Sequence, residues 1–294
     1  MNATSAAVLR LPLAVAPRPA RPDAGDAGAL PEQSRSEQRL GLGQPSAYGW
    51  ALGPLLLLAY WSAGSATGFI DSRVLPAPWV AVSTAIDLIR DGRLQDNLLI
   101  SATRAAEGLA FGVAAGVVVA LFAGLTQVGG YVFDGLVQIK RAVPSLALIP
   151  FFILWFGIGE PMKVTVIAFG VFLPTYVHTH NALRGIDLRY VELAETLHVS
   201  YAEFLRSVVL PGALPGFLLG LRFAVMAAWL GLVVVEQFNA TGGIGYMINL
   251  ARSYAQSDIM LVGLVVYGML GLSSDFAVRH LERRVLRWRR TLAQ

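Results

Sequence analysis

Apolar positions in this chain do not alternate, nor do they keep to one face of a short helix; they gather into six long runs. These lie at about 50–69, 106–126, 142–159, 163–183, 213–235 and 259–278. A bilayer core of about 30 Å takes roughly 20 apolar residues of helix to cross, so the pattern predicts an all-α integral membrane protein of about six transmembrane helices. The third and fourth runs are parted only by Gly157-Ile-Gly-Glu-Pro161, a turn that predicts a tight antiparallel hairpin. In the second run Gly108, Gly112, Gly116, Ala120 and Gly124 recur at every fourth position, and in the fifth Gly212, Gly216, Gly220, Ala224 and Ala228 do the same. Small residues at that spacing make a flat stripe against which a second backbone can approach closely, the usual basis of helix packing in lipid.

Between the fourth and fifth runs the pattern changes to amphipathic. Asp187 is placed as an N-cap, and Leu193, Leu197 and Val208 fall near one helical face, with Tyr201, Phe204 and Leu205 between them. Ser200 and Glu203 form the capping-box pair Ser-x-x-Glu. The loop 184–212 is therefore expected to hold one helix over 188–198 and a second short helix from residue 201, stopped by Pro211. Its apolar stripe suits either a lipid surface or a partner's groove.

Only 14% of the 294 residues are charged, against about 25% in soluble domains. The net charge of +4 does not point to nucleic acid, because the basic residues stand outside the apolar runs. With the N-terminus inside, 16 of the 23 Lys and Arg fall on the cytoplasmic side and 6 on the outer side, as the positive-inside rule requires. Both termini and the loop 184–212 are thus expected in the cytoplasm of a multi-pass inner-membrane protein. Residues 1–46, rich in Pro, Gly, Ala and Arg, read as a disordered cytoplasmic tail without a cleaved signal, 47–280 as the membrane domain and 281–294 as a basic cytoplasmic tail. The chain has no cysteine, which excludes disulfides and thiolate metal sites.

A phosphate-binding loop needs Gly-Lys-Ser or Gly-Lys-Thr, and the only lysines, Lys140 and Lys163, follow Ile139 and Met162. The chain is therefore read as no enzyme, with no cofactor and no metal. His178 and His180 read as interfacial polar residues, and Arg104 beside Glu107 as an interfacial pair. Charges in or beside spans are candidate functional groups. Arg222 either snorkels to the inner interface or attracts an anion. Trp155, Glu160, Trp229 and Glu236 either line an outer gate or mark the interface. Ser145 and Ser273 lack a partner base, which argues against an intramembrane enzyme. A gradient-driven secondary transporter or channel remains the alternative to an ATP-driven system, although neither midplane carboxylates nor an internal repeat supports it.

The spacing Glu192-x-Ala194, three residues, His198, nine residues, Val208-x-Leu210-Pro211 resembles the cytoplasmic signature of the permease subunits of ATP-binding-cassette importers. Arg141-Ala-Val-Pro-Ser-Leu-Ala-Leu-Ile-Pro150, Ile153-Leu-Trp-Phe-Gly-Ile-Gly159, Trp229-Leu-Gly-Leu-Val-Val-Val-Glu236 and Gly242-Gly-Ile-Gly-Tyr246 resemble the branch for sulfonates, taurine or nitrate. The resemblance implies the type I importer permease fold, with helix 188–198 as a coupling helix seated in a separate ATPase subunit. It assigns that contact to Glu192, Leu193, Ala194, Leu197, His198, Leu210 and Pro211. It further implies an extracytoplasmic solute-binding protein, a homodimer of permease subunits in lipid, and a small anion as cargo. Two positions depart from the pattern: Leu193 stands where alanine is usual, and His198 where glycine supplies a left-handed turn.

Overall fold

The computed structural model describes residues 49–288, apart from residue 239. The expected tail 1–46 and the last residues of the basic C-terminal segment lie outside the described residues. Among the described residues every regular element is helical: α1 (Gly49–Ala66), α2 (Pro78–Arg90), α3 (Arg93–Leu125), α4 (Gln127–Ala142), α5 (Ile149–Phe156), α6 (Glu160–Arg184), α7 (Leu188–Thr196), α8 (Tyr201–Phe204), α9 (Leu210–Gln237), α10 (Ile244–Ser253) and α11 (Ser257–Val285).

Four stretches are long and apolar enough to cross a membrane: Arg93–Leu125, Glu160–Arg184, Tyr201–Gln237 and Ser257–Val285. A fifth is obtained if the bent pair Gln127–Ala142 and Ser145–Phe156 is one span. The six expected spans therefore become four or five, with α1 a shorter apolar helix. The run 142–159 is not the straight span it suggested. Its chain breaks after Ala142 and turns by 90°, because Val143 precedes Pro144 and takes the extended conformation (φ −98°, ψ 119°) that a pre-proline residue favours. The hairpin after it is present: Gly157 adopts φ 72° and α6 starts at Glu160, with Pro161 in its first turn.

Pro211 does not stop the second loop helix. Helix α8, a π-turn over Leu205–Val209 and α9 run on as one rod, Tyr201–Gln237. The π-turn shifts bonding to i→i−5, with the Leu210 N–H donating to the Leu205 carbonyl, and Pro211 then falls in the first turn of α9, where its missing N–H matters least. At the other end of the chain α11 continues past the expected span end to Val285, with Arg279 bound to Asp275 at 2.7 Å and Arg283 and Arg284 in its last turn.

The two small-residue stripes both pack on α6, on neighbouring faces that share Thr175, and make it the centre of the bundle. On α3, a methyl added at Gly112 would lie 2.5 Å from the Ala168 carbonyl oxygen, and one at Gly116 would lie 2.8 Å from Thr175. On α9, Gly220 approaches the Pro174 carbonyl, and Gly216 approaches Ala182. Since the atoms in the way include backbone, α3 and α6 must separate to admit a larger side chain. Gly112→Val is expected to cost about 1–3 kcal/mol or more through overpacking. Gly170→Val, on α6 but with nothing near its Cβ position, is expected to shift stability by less than about 0.5 kcal/mol. Denaturant midpoints of the two variants in the same detergent check this.

Candidate functional site

At the end of the bundle where α6 begins and α9 finishes, a buried ionic network joins five helices and the loop before α10. The Arg104 guanidinium, on α3, donates through Nε and Nη2 to both carboxylate oxygens of Glu160 (2.5 and 2.6 Å). Its Nη1 donates to Glu236 Oε1 at 2.8 Å and to the Gly242 carbonyl at 2.6 Å. Lys163 Nζ donates to Glu160 Oε1 at 2.8 Å. Glu236, in the last turn of α9, also accepts from Ser101 Oγ, from the Gly245 N–H and from the Tyr267 hydroxyl, each at 2.8 Å. Ser101 in turn accepts from the Ile244 N–H, and Asn97 Oδ1 from the Gly243 N–H, both at 2.8 Å.

Two cations here face two carboxylates, and the side chains of Arg104, Lys163 and Glu236 are at most 5% exposed, whereas that of Glu160 is 56% exposed. Each of the three guanidinium nitrogens of Arg104 donates to an acceptor, the arrangement in which a buried charge is tolerated. The glycine loop is part of the same lock. Gly243 has φ 112°, and a Cβ there would collide with the Glu236 carboxylate, so only glycine lets the loop close over that group. Chemically the cluster holds no free base or nucleophile; it fastens the loop before α10 to α3 and α9.

At the opposite end lies α7. Asp187 caps it by accepting from the Arg189 N–H at 3.0 Å, and Ser200 caps α8 by accepting from the Glu203 N–H at 3.3 Å. Between them the chain closes a Schellman motif: Val199 N–H to the Ala194 carbonyl (2.9 Å) and His198 N–H to the Glu195 carbonyl (3.1 Å). His198 occupies the left-handed position with φ 51°, the conformation that the glycine of the signature would supply. Glycine there removes a cost of about 1–2 kcal/mol while adding some backbone entropy to the unfolded chain. His198→Gly is therefore expected to stabilise this turn by about 0.5–1 kcal/mol, seen as slower hydrogen exchange of the His198-to-Gly and Val199 amides. Helix α7 buries none of its residues. Leu193 and Leu197 are 54% and 64% exposed, Glu192 is exposed and Ala194 half-buried; Leu210 and Pro211 stand at the root of α9, Leu210 exposed and Pro211 half-buried.

The five side chains expected along a pathway do not form one site. Glu160 and Glu236 meet through Arg104. Arg222 gives its Nε to Asp275 on α11 at 2.6 Å, with its side chain 39% exposed. Trp229 also faces α11, donating to Ser274 Oγ at 3.1 Å, and Trp155 stands apart, 67% exposed. The expected Arg104–Glu107 pair is absent because Arg104 points inward and Glu107 outward on the same helix. His180, expected at the interface, is only 7% exposed, and His178 stacks on Phe223 at 5.1 Å.

Residues 112–287 match the family described as binding-protein-dependent transport system inner membrane component. The chain is 38% identical, over 90% of its length and 96% of the relative's, to the putative aliphatic sulfonates transport permease protein SsuC of Bacillus subtilis (strain 168). The chain belongs to this family of transport permeases. It is also 30% identical, over 79% of its length and 86% of the relative's, to the taurine transport system permease protein TauC of Escherichia coli (strain K12). In fold it resembles an amino acid ABC transporter (TM-score 0.55, 18% identity, 64% of this chain and 92% of the other). The same holds for the inward-facing MetNI methionine ABC transporter (TM-score 0.51, 21% identity, 67% of this chain and 95% of the other).

The matched stretch of the permease includes α7, Glu160, Lys163 and Glu236 but begins after Ser101 and Arg104. Ser101, Asn97, Lys163 and Tyr267 carry no expected role in the sequence, and Arg104 is expected to pair with Glu107 instead. A signal for Arg104 exists: it stands one four-residue step before Gly108 and so continues the small-residue stripe that faces the interior, with Ser101 buried on the same side.

Proposed function

We propose that this permease is the membrane subunit of an ATP-binding-cassette importer, working as a homodimer with a separate ATPase and an extracytoplasmic solute-binding protein. Its cargo is a small anion of the aliphatic sulfonate or taurine kind, the solutes named for its relatives. Both termini and α7 face the cytoplasm on this reading, and the Glu236 network lies on the outer side. The observation that carries it is α7: a capped helix, closed at both ends, whose Leu188, Tyr190, Leu193 and Leu197 are all more than half exposed. A short apolar-faced helix that nothing covers fits a groove in a partner, and Glu192 beside that face supplies a charge for register.

Copurification from detergent-solubilised membranes tests this. The tagged permease is expected to bring down an ATPase, and the recovered complex to show vanadate-sensitive ATP hydrolysis stimulated by a sulfonate-loaded binding protein. Gradient-driven uptake by the permease alone in proteoliposomes, without nucleotide, would overturn the reading in favour of a secondary transporter.

A further inference from the structure

A second polar cluster, unrelated to the Glu236 network, lies between α4 and α6 at the end of the bundle nearest α7. It encloses a cavity of about 230 Å³ lined by Asp134, Gln138 and Arg141 of α4 and by Tyr176, His180 and Arg184 of α6, among others. That is room for several water volumes of about 30 Å³ each, and it falls below the 300–1,000 Å³ of drug-sized sites.

The charges in this cavity are not matched. Asp134 is the single carboxylate; it accepts from the Tyr176 hydroxyl at 3.2 Å and lies 3.4 Å from Arg184 Nη2. A charge-assisted pair of full strength closes to about 2.7–2.9 Å, so most of the Arg184 fork is unspent. Arg141 forms no ion pair among the described residues. The contrast with Arg104, each of whose guanidinium nitrogens has an acceptor within 2.8 Å, is internal to this molecule. The cavity also holds an open valence: His180 is 7% exposed, its Nε2 has no hydrogen-bond partner, and at 3.6 Å from Asp134 it is too far to bond it. Its ring is fixed by stacking on Tyr176 (5.2 Å), which stacks on Phe172. A buried polar atom held rigidly without a partner is a standing cost unless something supplies the bond.

Directly beside this cavity, sharing Val137 with it, runs a mostly apolar groove of about 390 Å³ lined by Phe133, Leu136, Val143, Phe169 and Phe172, with Lys140 its one charged residue, Nζ lying over the Phe169 ring. Along α6 the polar cavity spans residues 176–184 and the apolar groove 169–172, so polarity falls from the helix end toward its middle.

We infer that this is a binding site for an oxyanion bearing an alkyl group, with the oxyanion held by the Arg141 and Arg184 forks and completed at His180 Nε2, and the alkyl part laid along the groove of Phe169 and Phe172. Guanidinium forks match sulfonate and phosphate oxygens better than an ammonium does. Two sources share this chemistry, a soluble alkyl sulfonate and the headgroup of an anionic phospholipid. The assignment stands on this pocket and needs neither the ATPase nor the binding protein.

The test uses the full chain in nanodiscs of phosphatidylcholine, titrated calorimetrically with butanesulfonate, and in parallel native mass spectrometry of the chain taken from vesicles containing phosphatidylglycerol. Saturable butanesulfonate binding identifies the soluble source; retained phosphatidylglycerol without sulfonate binding identifies the lipid. In either case Arg141→Gln with Arg184→Gln is expected to weaken the ligand at least tenfold, His180→Phe severalfold, and Arg252→Gln, on α10, not at all. Should the double variant fail to fold, the exposed Arg141→Gln alone decides. Binding of neither probe, or equal binding by parent and variants, would overturn the assignment while leaving the importer reading to its own copurification test.

Discussion

Arg104→Met is expected to destabilise the permease by about 3–5 kcal/mol, the range for breaking one side of a buried ion pair. The substitution leaves the Glu236 carboxylate, whose side chain is 0% exposed, without a cation. Glu160 is less affected, since it is half-exposed and keeps Lys163 at 2.8 Å. Methionine fills much of the arginine stem's volume, which separates loss of charge from loss of packing. The double variant Arg104→Met with Glu236→Leu is expected to lose less than the sum of its single variants, because charge and countercharge leave together. It does not return to parent stability: Tyr267, Ser101 and the Gly245 N–H lose their common acceptor, at about 1–3 kcal/mol for each donor left buried and unpaired. Denaturant midpoints for the four members of this cycle give the coupling directly. A parent-like midpoint for Arg104→Met would mean that Glu236 is neutral or that water reaches it.

The largest functional effect is expected at the other end. On the reading that α7 seats in an ATPase groove, Glu192→Lys reverses the charge at the edge of the contact and should abolish ATP-driven uptake. Because Glu192 is exposed and outside every span, the melting behaviour of the isolated permease should move by no more than about 0.5 kcal/mol. Uptake by whole cells, with copurified ATPase measured on the same material, reads both consequences. Normal uptake by the folded variant would remove Glu192 from the coupling contact.

How much of this was legible in the sequence depended on whether the cause was local. The caps at Asp187 and Ser200, the left-handed place of His198 and the hairpin at Gly157 each follow from a few consecutive residues, and each is present. The packing stripes were legible because their four-residue period is itself the packing rule; which helix they grip was not, since both turn out to flank α6. The bend at Val143 had its signal in the proline after it, but a continuous apolar run conceals a corner. Pro211 misled for the opposite reason: a π-turn one step earlier lets the helix carry on. Least legible was the ionic network, whose partners stand 56 and 132 residues apart along the chain. Arg104 has Glu107 as its nearest sequence neighbour of opposite sign, and only the fold decides that it turns the other way.

The uninterrupted rod Tyr201–Gln237 has 37 residues and so a length of about 55 Å at 1.5 Å per residue. Its weak points, the π-turn and Pro211 and Pro215, all lie in its first half-dozen to fifteen residues; beyond them it is stiff as far as Glu236. Near that junction it rests on α6 through Gly216 and Gly220, with His178 stacked on Phe223 beside them, and farther along through Gly231 on Ile167. Such a body is a pushrod, too stiff beyond its first turns to absorb a displacement by bending. A displacement imposed beside α7 is passed on to the far tip, where it falls on the Gly242-Gly243 loop and the carboxylate that ties it down.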